Sequence, residues 1–284
     1  MPYDIFAKIK DCYKVFTKAE RRVADFILES PREALYMTIT DLASRCGVGD
    51  TSVFRFCKTL NLNGYQDFKM TLAQSLSGNG TVGMTLSEEI DISDSTEEVC
   101  RKLLNIDISA LNQTLDMMNK DDIQRAVDMI KNARMIHFFG VGSSNIMAQE
   151  AINKFARILP NVACVQDTHM QYMAAALLGE PDLAIAFSYS GSTKDIIEIV
   201  KRAKENKAKT ICITRYAESP LTAYADIVLL CGANEGPFQG GSLSARVAQL
   251  YLLDVLYTEY FKQNYAICDY NKKRTTQSVA SRLL

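Results

Sequence analysis

The sequence has no tryptophan, only two histidines and six prolines among 284 residues. Two histidines and eight cysteines scattered without a CxxC pair suggest neither a zinc site nor a disulfide ladder. The cysteines read instead as reduced, mostly buried thiols of a cytosolic protein. No apolar run approaches the roughly 20 residues needed to span a bilayer, and the first residues carry no basic segment followed by an apolar stretch. A cytoplasmic location, with no membrane contact, is the expectation. Excess charge of one sign is absent too: the formal net charge is −1. That excludes a uniformly basic coat but leaves room for a basic face on one domain.

What is present is a globular composition, 48% hydrophobic and 23% charged, long enough for two domains. From Ile5 to about Leu76 apolar residues recur at helical spacing only, predicting an all-helical domain over 1–77. The texture then changes to SLSGNGTVG and SEEIDISDSTEE, the latter without a Lys or Arg, which predicts a flexible, acidic linker over 78–94. Ser95 or Thr96, with Glu97 or Glu98 behind, starts a helix running to Met118 and opens a domain over 95–284. Here the short apolar runs MIHFF (135–139), VACVQ (162–166), LAIAF (183–187), KTICI (209–213) and DIVLL (226–230) alternate with amphipathic segments. Such alternation predicts an α/β domain, a five-stranded parallel sheet with helices on both faces. The apolar load of SLSARVAQLYLLDVLYTEYF suits dimerisation or core packing equally, and NKKRTTQSVASRLL reads as a solvated, partly helical tail.

Two passages carry chemistry. In TITDLASRCGVGDTSVFRFCKTLNLNGYQDFK, Thr40 can cap a short helix over 41–45, Gly47 makes a turn, and Gly49 or Asp50 starts a second helix to about Leu60. Ala43, Val48, Val53 and Phe56 fall where the two helices must touch. The second helix would lie in a major groove, offering Thr51, Ser52, Arg55 and Lys58. Arg55 suits guanine, because its planar fork bonds O6 and N7 together. Lys58, Arg45, Lys69, Arg21 and Arg22 suit phosphates. A small helical domain of this pattern that binds protein instead is the alternative.

The second passage is a pair of loops. HFFGVGSSN places Ser143 and Ser144 where the first predicted strand gives way to a helix, and FSYSGSTKD surrounds another helix start with Ser188, Ser190, Ser192 and Thr193. Parallel sheets bind ligands beyond the carboxyl ends of their strands, and helix N-termini there favour phosphate. Either loop alone is ordinary turn and capping chemistry. Both at strand ends of one sheet favour a shared ligand, a phosphate and a polyol together. Neither loop has a dinucleotide or P-loop signature, and no cofactor is expected.

Taken with ERRVADFIL, ITDLASRCGV and VFRFCKTLNLNGYQDFK in the first half, and FFGVGSSN, QDTHMQ, FSYSGSTKD, ITRYAESPLTAYAD and SLSARVAQLYLLDVLY in the second, the chain resembles the RpiR family of bacterial transcriptional regulators. In that family a helix-turn-helix domain precedes a sugar isomerase (SIS) domain. The resemblance implies a double-stranded DNA operator and a sugar-phosphate effector, with Ser143, Ser144, Ser188, Ser190 and Thr193 in the ligand loops. It puts His169 near the sugar, unless that residue only shapes its loop, and leaves Glu235 as a sugar-hydroxyl acceptor or a solvated carboxylate. The chain departs from the family pattern at Gly49, where a serine usually opens the recognition helix, and at Leu60-Asn61, where Leu-Gly is frequent. SIS folds also serve isomerases, for which Glu150 and His169 are the nearby candidates. A helix-turn-helix on a flexible linker favours a regulator that is not an enzyme, working as a homodimer or homotetramer.

Overall fold

The computed structural model describes residues 4–76, 90–233 and 244–280. The chain divides into two compact units, and the division falls inside the helix Thr96–Met117, between Ile106 and Asp107.

The first unit contains six helices ahead of that division: α1 (Ile5–Cys12), α2 (Lys18–Glu29), α3 (Pro31–Tyr36), α4 (Ile39–Cys46), α5 (Asp50–Thr59) and α6 (Tyr65–Leu76). Reciprocal hydrogen bonds fix two of the starts, Thr17 with Glu20 for α2 and Thr38 with Asp41 for α4. Thr40 is therefore not the cap of α4. Its hydroxyl instead donates to Asp50 Oδ2 at 2.9 Å, tying α4 to the start of α5. Gly47 ends α4 at φ 63°, a left-handed conformation that glycine adopts without steric cost. Asn61 takes the equivalent left-handed position after α5, φ 63°, which asparagine tolerates better than most residues. Val23, Ile27, Leu42, Val53, Phe56 and Phe68 are among the fully buried side chains of the core, with Phe56 against Phe16 at 5.1 Å and Phe68 at 5.8 Å between ring centroids. Each buried aromatic or aliphatic side chain contributes about 1.5–3 kcal/mol.

The second unit holds the sheet. After α7 (Thr96–Met117) and α8 (Lys120–Asn132) come β1 (Met135–Phe139), α9 (Ser143–Phe155), β2 (Val162–Cys164), α10 (Thr168–Leu177) and β3 (Asp182–Phe187). Then follow α11 (Lys194–Glu205), β4 (Lys209–Thr214), β5 (Ile227–Leu230), α12 (Ser244–Gln263) and α13 (Tyr265–Ala280). All strand pairs are parallel and the order is β2-β1-β3-β4-β5. β3 is buried along its length, and its side chains alternate by size. Leu183, Ile185 and Phe187 join the core under α8, α9 and α12, while Ala184 and Ala186 let α10 and α11 approach the opposite face.

The apolar load of α12 goes into this core through Leu252, Leu253, Leu256 and Tyr260. The C-terminal tail is helical to Ala280 and mostly exposed from Lys272 onward, as expected of a solvated segment, but α13 is anchored at its start by the buried Cys268 and along its length by two hydrogen bonds to the turn after α9. Asn271 Nδ2 donates to the Ile158 carbonyl at 2.9 Å and Thr275 Oγ1 to that of Arg157 at 3.0 Å. Among the described residues no helix is long and apolar enough to cross a membrane.

Candidate functional site

β1 lies between β2 and β3, so the chain leaves β1 toward one side of the sheet and later returns to extend it on the other. Such a switch point opens a crevice beyond the carboxyl ends of the two central strands. The two hydroxyl-bearing loops both lie there, one from β1 into α9 and one from β3 into α11.

Both helices begin without a side-chain cap, at Gly142 for α9 and Thr193 for α11. By contrast α2, α4, α8 and α10 are capped by Thr17, Thr38, Asn119 and Asp167. Uncapped first-turn N–H groups keep their hydrogen-bonding capacity and sit at the positive end of the helix dipole, which suits an anion. Ser143 and Ser144 are the first two residues of α9 and are partly buried. Ser190 Oγ accepts from the Ser192 N–H at 3.2 Å.

Ser188 differs from its neighbours. It is 2% exposed, and its hydroxyl has no hydrogen-bond partner among the described residues. Leaving a buried hydroxyl unpaired costs about 1–3 kcal/mol, so a group of this kind at a crevice points to a ligand that completes it. The loop around it is closely packed. Gly191 sits at φ 59°, and a Cβ there would lie 2.2 Å from Ser219 Oγ. Its carbonyl accepts from the Leu221 N–H, which ties the loop to the chain after β4.

Sequence reasoning missed Gln171. It is wholly buried on α10, and its side-chain amide accepts from the Gly140 N–H and donates to the Gly140 carbonyl. The available signal was a lone glutamine at the head of the apolar run YMAAAL. His169 is exposed on the first turn of the same helix. Glu150 is engaged on α9, 3.7 Å from Lys154 Nζ, which itself pairs with Asp254 at 2.7 Å. Glu235 lies outside the described residues.

In the helical unit, Thr51, Arg55 and Lys58 are exposed along one side of α5, and Ser52 is partly exposed beside them. Lys58 Nζ donates to the Asn63 carbonyl at 2.8 Å and stands 5.3 Å over the Phe54 ring. Two contacts from α2 hold the motif: Arg22 Nη1 donates to the Gly47 carbonyl at 3.1 Å, and Glu20 Oε1 accepts from Thr59 Oγ1 at 2.9 Å. Burial pulls the Glu20 carboxyl up, but hydrogen bonds from Thr17 and Thr59 and the Arg55 charge outweigh it and leave the group below its ordinary value. Arg45 lies 3.8 Å from Glu33. Lys69 is not grouped with these cations. Its amine is partly buried and donates to the Met37 carbonyl at 3.1 Å, and burial pushes its pKa down to about 8.

Residues 3–79 match the family model of the rpiR-family helix-turn-helix domain, and residues 129–259 match that of the SIS domain. Among curated proteins, the chain is 35% identical over 264 residues to an uncharacterized HTH-type transcriptional regulator of Caldanaerobacter subterraneus, covering 92% of each. Among solved structures it is similar to the Vibrio vulnificus NanR protein complexed with ManNAc-6P, with a TM-score of 0.88 and 27% identity over 99% of this chain and 100% of that one. The sugar isomerase domain of an RpiR transcription factor from Sphaerobacter thermophilus shares the sheet fold, TM-score 0.59 and 23% identity over 63% of this chain and 99% of that one. Likeness that runs through both halves, in the same order and over nearly the whole length, puts the chain in the RpiR family of helix-turn-helix transcriptional regulators.

Proposed function

We propose that this regulator reads operator DNA with α5 and responds to a sugar phosphate held between the β1–α9 and β3–α11 loops. The buried Ser188 hydroxyl, without a partner among the described residues and in the loop ahead of the uncapped start of α11, carries the ligand half of the reading. N–H groups of the first turns of α9 and α11, with Ser143, Ser144, Ser190 and Thr193, take the phosphate and sugar oxygens; His169 approaches the sugar from α10. No lysine or arginine is needed in the socket, since helix N-termini and hydroxyls supply the donors. The likeness to NanR makes ManNAc-6P the first compound to test.

On DNA, Arg55 takes a guanine, Thr51 and Ser52 flank it, and Lys58 and Arg45 take phosphates. Lys69 is left out of the set, because its amine is largely buried, whereas Lys58 is exposed. Two copies, paired through their sheet domains, face a palindromic operator in the cytoplasm. The protein senses the sugar phosphate and does not convert it: Glu150, the carboxylate nearest the first loop on α9, is engaged with Lys154 instead of standing free as a base.

Fluorescence anisotropy on fragments of the protein's own promoter region, with and without ManNAc-6P, tests this. The expected effector response is about 5- to 150-fold in operator affinity, the span of a coupling of ~1–3 kcal/mol, with unphosphorylated ManNAc inert. An unchanged response in Ser144→Ala with Ser188→Ala would sink the pocket assignment.

A further inference from the structure

Two adjacent residues on α10 reach the two hydroxyl loops. Gln171 Nε2 donates to the Gly140 carbonyl at 2.9 Å, and Gln171 Oε1 accepts from the Gly140 N–H at 3.3 Å. Bonding both the N–H and the C=O of one residue requires a side chain that is donor and acceptor at once, and Gln171 is 0% exposed, so water cannot replace it. Gly140 in turn abuts the first turn of α9, since a Cβ on it would lie 2.4 Å from the Ser144 carbonyl oxygen. Fixing the backbone at Gly140 on both sides therefore holds the turn that carries Ser143 and Ser144. A second tie runs from Asn145 Nδ2 to the Gln166 carbonyl, 3.1 Å, just ahead of α10.

The neighbouring Tyr172 reaches the other loop. Its hydroxyl donates to Asp195 Oδ1 at 3.2 Å, in the first turn of α11, and the Arg202 guanidinium lies 5.7 Å from its ring centroid. α10 is thus a strut with one hold on the start of α9 and one on the start of α11.

We propose that Gln171 and Tyr172 are positioning residues that fix the separation of the two sockets, and so select ligands of the length that bridges them. The proposal rests on the sugar-phosphate reading for the nature of the ligand, but not for the geometry. A ligand occupying a single socket is indifferent to the separation. One spanning both is not.

The test uses the full chain, with Gln171→Leu, which keeps the volume and removes both hydrogen bonds, and Tyr172→Phe, which keeps the ring. Calorimetric titration with ManNAc-6P should show affinity weakened by about tenfold in Gln171→Leu and about threefold in Tyr172→Phe, as loss of buried hydrogen bonds predicts. Inorganic phosphate should bind both variants within about twofold of wild type, a difference below ~0.5 kcal/mol. Weakening of both ligands in parallel, or of neither, overturns the proposal. Hydrogen exchange on the unliganded protein provides a readout that needs no ligand. Amides of 140–145 should exchange faster in Gln171→Leu and those of 194–197 in Tyr172→Phe, with the central strands unchanged. Unaltered exchange at those amides would also overturn it. Should wild type bind no sugar phosphate, the ligand reading fails and the exchange data alone decide the role of the strut. Should Gln171→Leu fail to fold, Tyr172→Phe decides.

Discussion

Replacing Ser188 by alanine should move stability and ligand affinity in opposite directions. The hydroxyl is buried, 2% exposed for the residue, and has no partner among the described residues. Removing it relieves a desolvation cost of about 1–3 kcal/mol. The void left by one oxygen costs on the order of 0.5 kcal/mol at ~24 cal/mol per Å³. The unliganded variant should therefore gain about 1–2 kcal/mol, which in a unit of this size raises Tm by about 2–8 °C. In the complex the same hydroxyl would bond a phosphate or sugar oxygen, so its loss weakens binding by at least about tenfold. At ManNAc-6P equal to 100 times the wild-type Kd, the ligand's stabilisation then falls from about 2.7 to about 1.4 kcal/mol. Differential scanning calorimetry with and without ligand measures both terms on one sample. A variant more than about 1 kcal/mol less stable without ligand would show that Ser188 is already satisfied in the free protein. An undiminished ligand shift would show that it does not touch the ligand. Either result refutes the reasoning.

Gly191→Ala should destabilise the sheet unit by at least about 2 kcal/mol, because left-handed backbone and a clash with Ser219 act together; Ser219→Ala in the same chain should recover only part, and a denaturant titration reads both. Lys69 gives a signed pH effect. Burial lowers its folded pKa to about 8 from 10.5, so between those values the unfolded chain binds more protons and stability attributable to Lys69 rises with pH. The stability difference between wild type and Lys69→Met, from urea melts followed by circular dichroism, should shift toward wild type as pH climbs from 7.5 to 10. A flat difference would remove the buried amine from the account. Arg55→Ala should reduce discrimination between operator and random DNA by about 1–3 kcal/mol, whereas Lys58→Ala should weaken both alike and lower the salt slope by about one, as read by anisotropy over a salt series.

The sheet was legible because strands buried on both faces are continuous apolar runs, and all five predicted runs overlap β1 to β5. The helix-turn-helix was legible from Gly47 and the apolar spacing around it. Its first cap was not, since Thr38 and Thr40 are both plausible and only the reciprocal bonds with Asp41 choose between them. The anchoring of α13 was hidden for a different reason: side chains at Asn271 and Thr275 hold it by bonding carbonyls of the turn after α9, and such contacts leave no apolar stripe to read. In the hydroxyl loops, the sequence shows four candidates between 188 and 193 of equal standing. The sheet buries Ser188, leaves Ser192 exposed and thereby separates them. Gln171 was invisible because its partner is a backbone peptide 31 residues away.

The separateness of the two cores bears on how the chain is made. Among the described residues, the buried side chains of the helical core lie between Ile5 and Ala73, and close partners in sequence meet quickly. The sheet must wait for β5, which ends at Leu230, and for α12 behind it. At roughly 5–20 residues per second, synthesis of the intervening stretch takes on the order of 10–30 s. On every ribosome the helix-turn-helix is thus complete while the strands of the ligand domain are still emerging. The nascent chain passes through a stage with a finished reading head and no sensor to govern it.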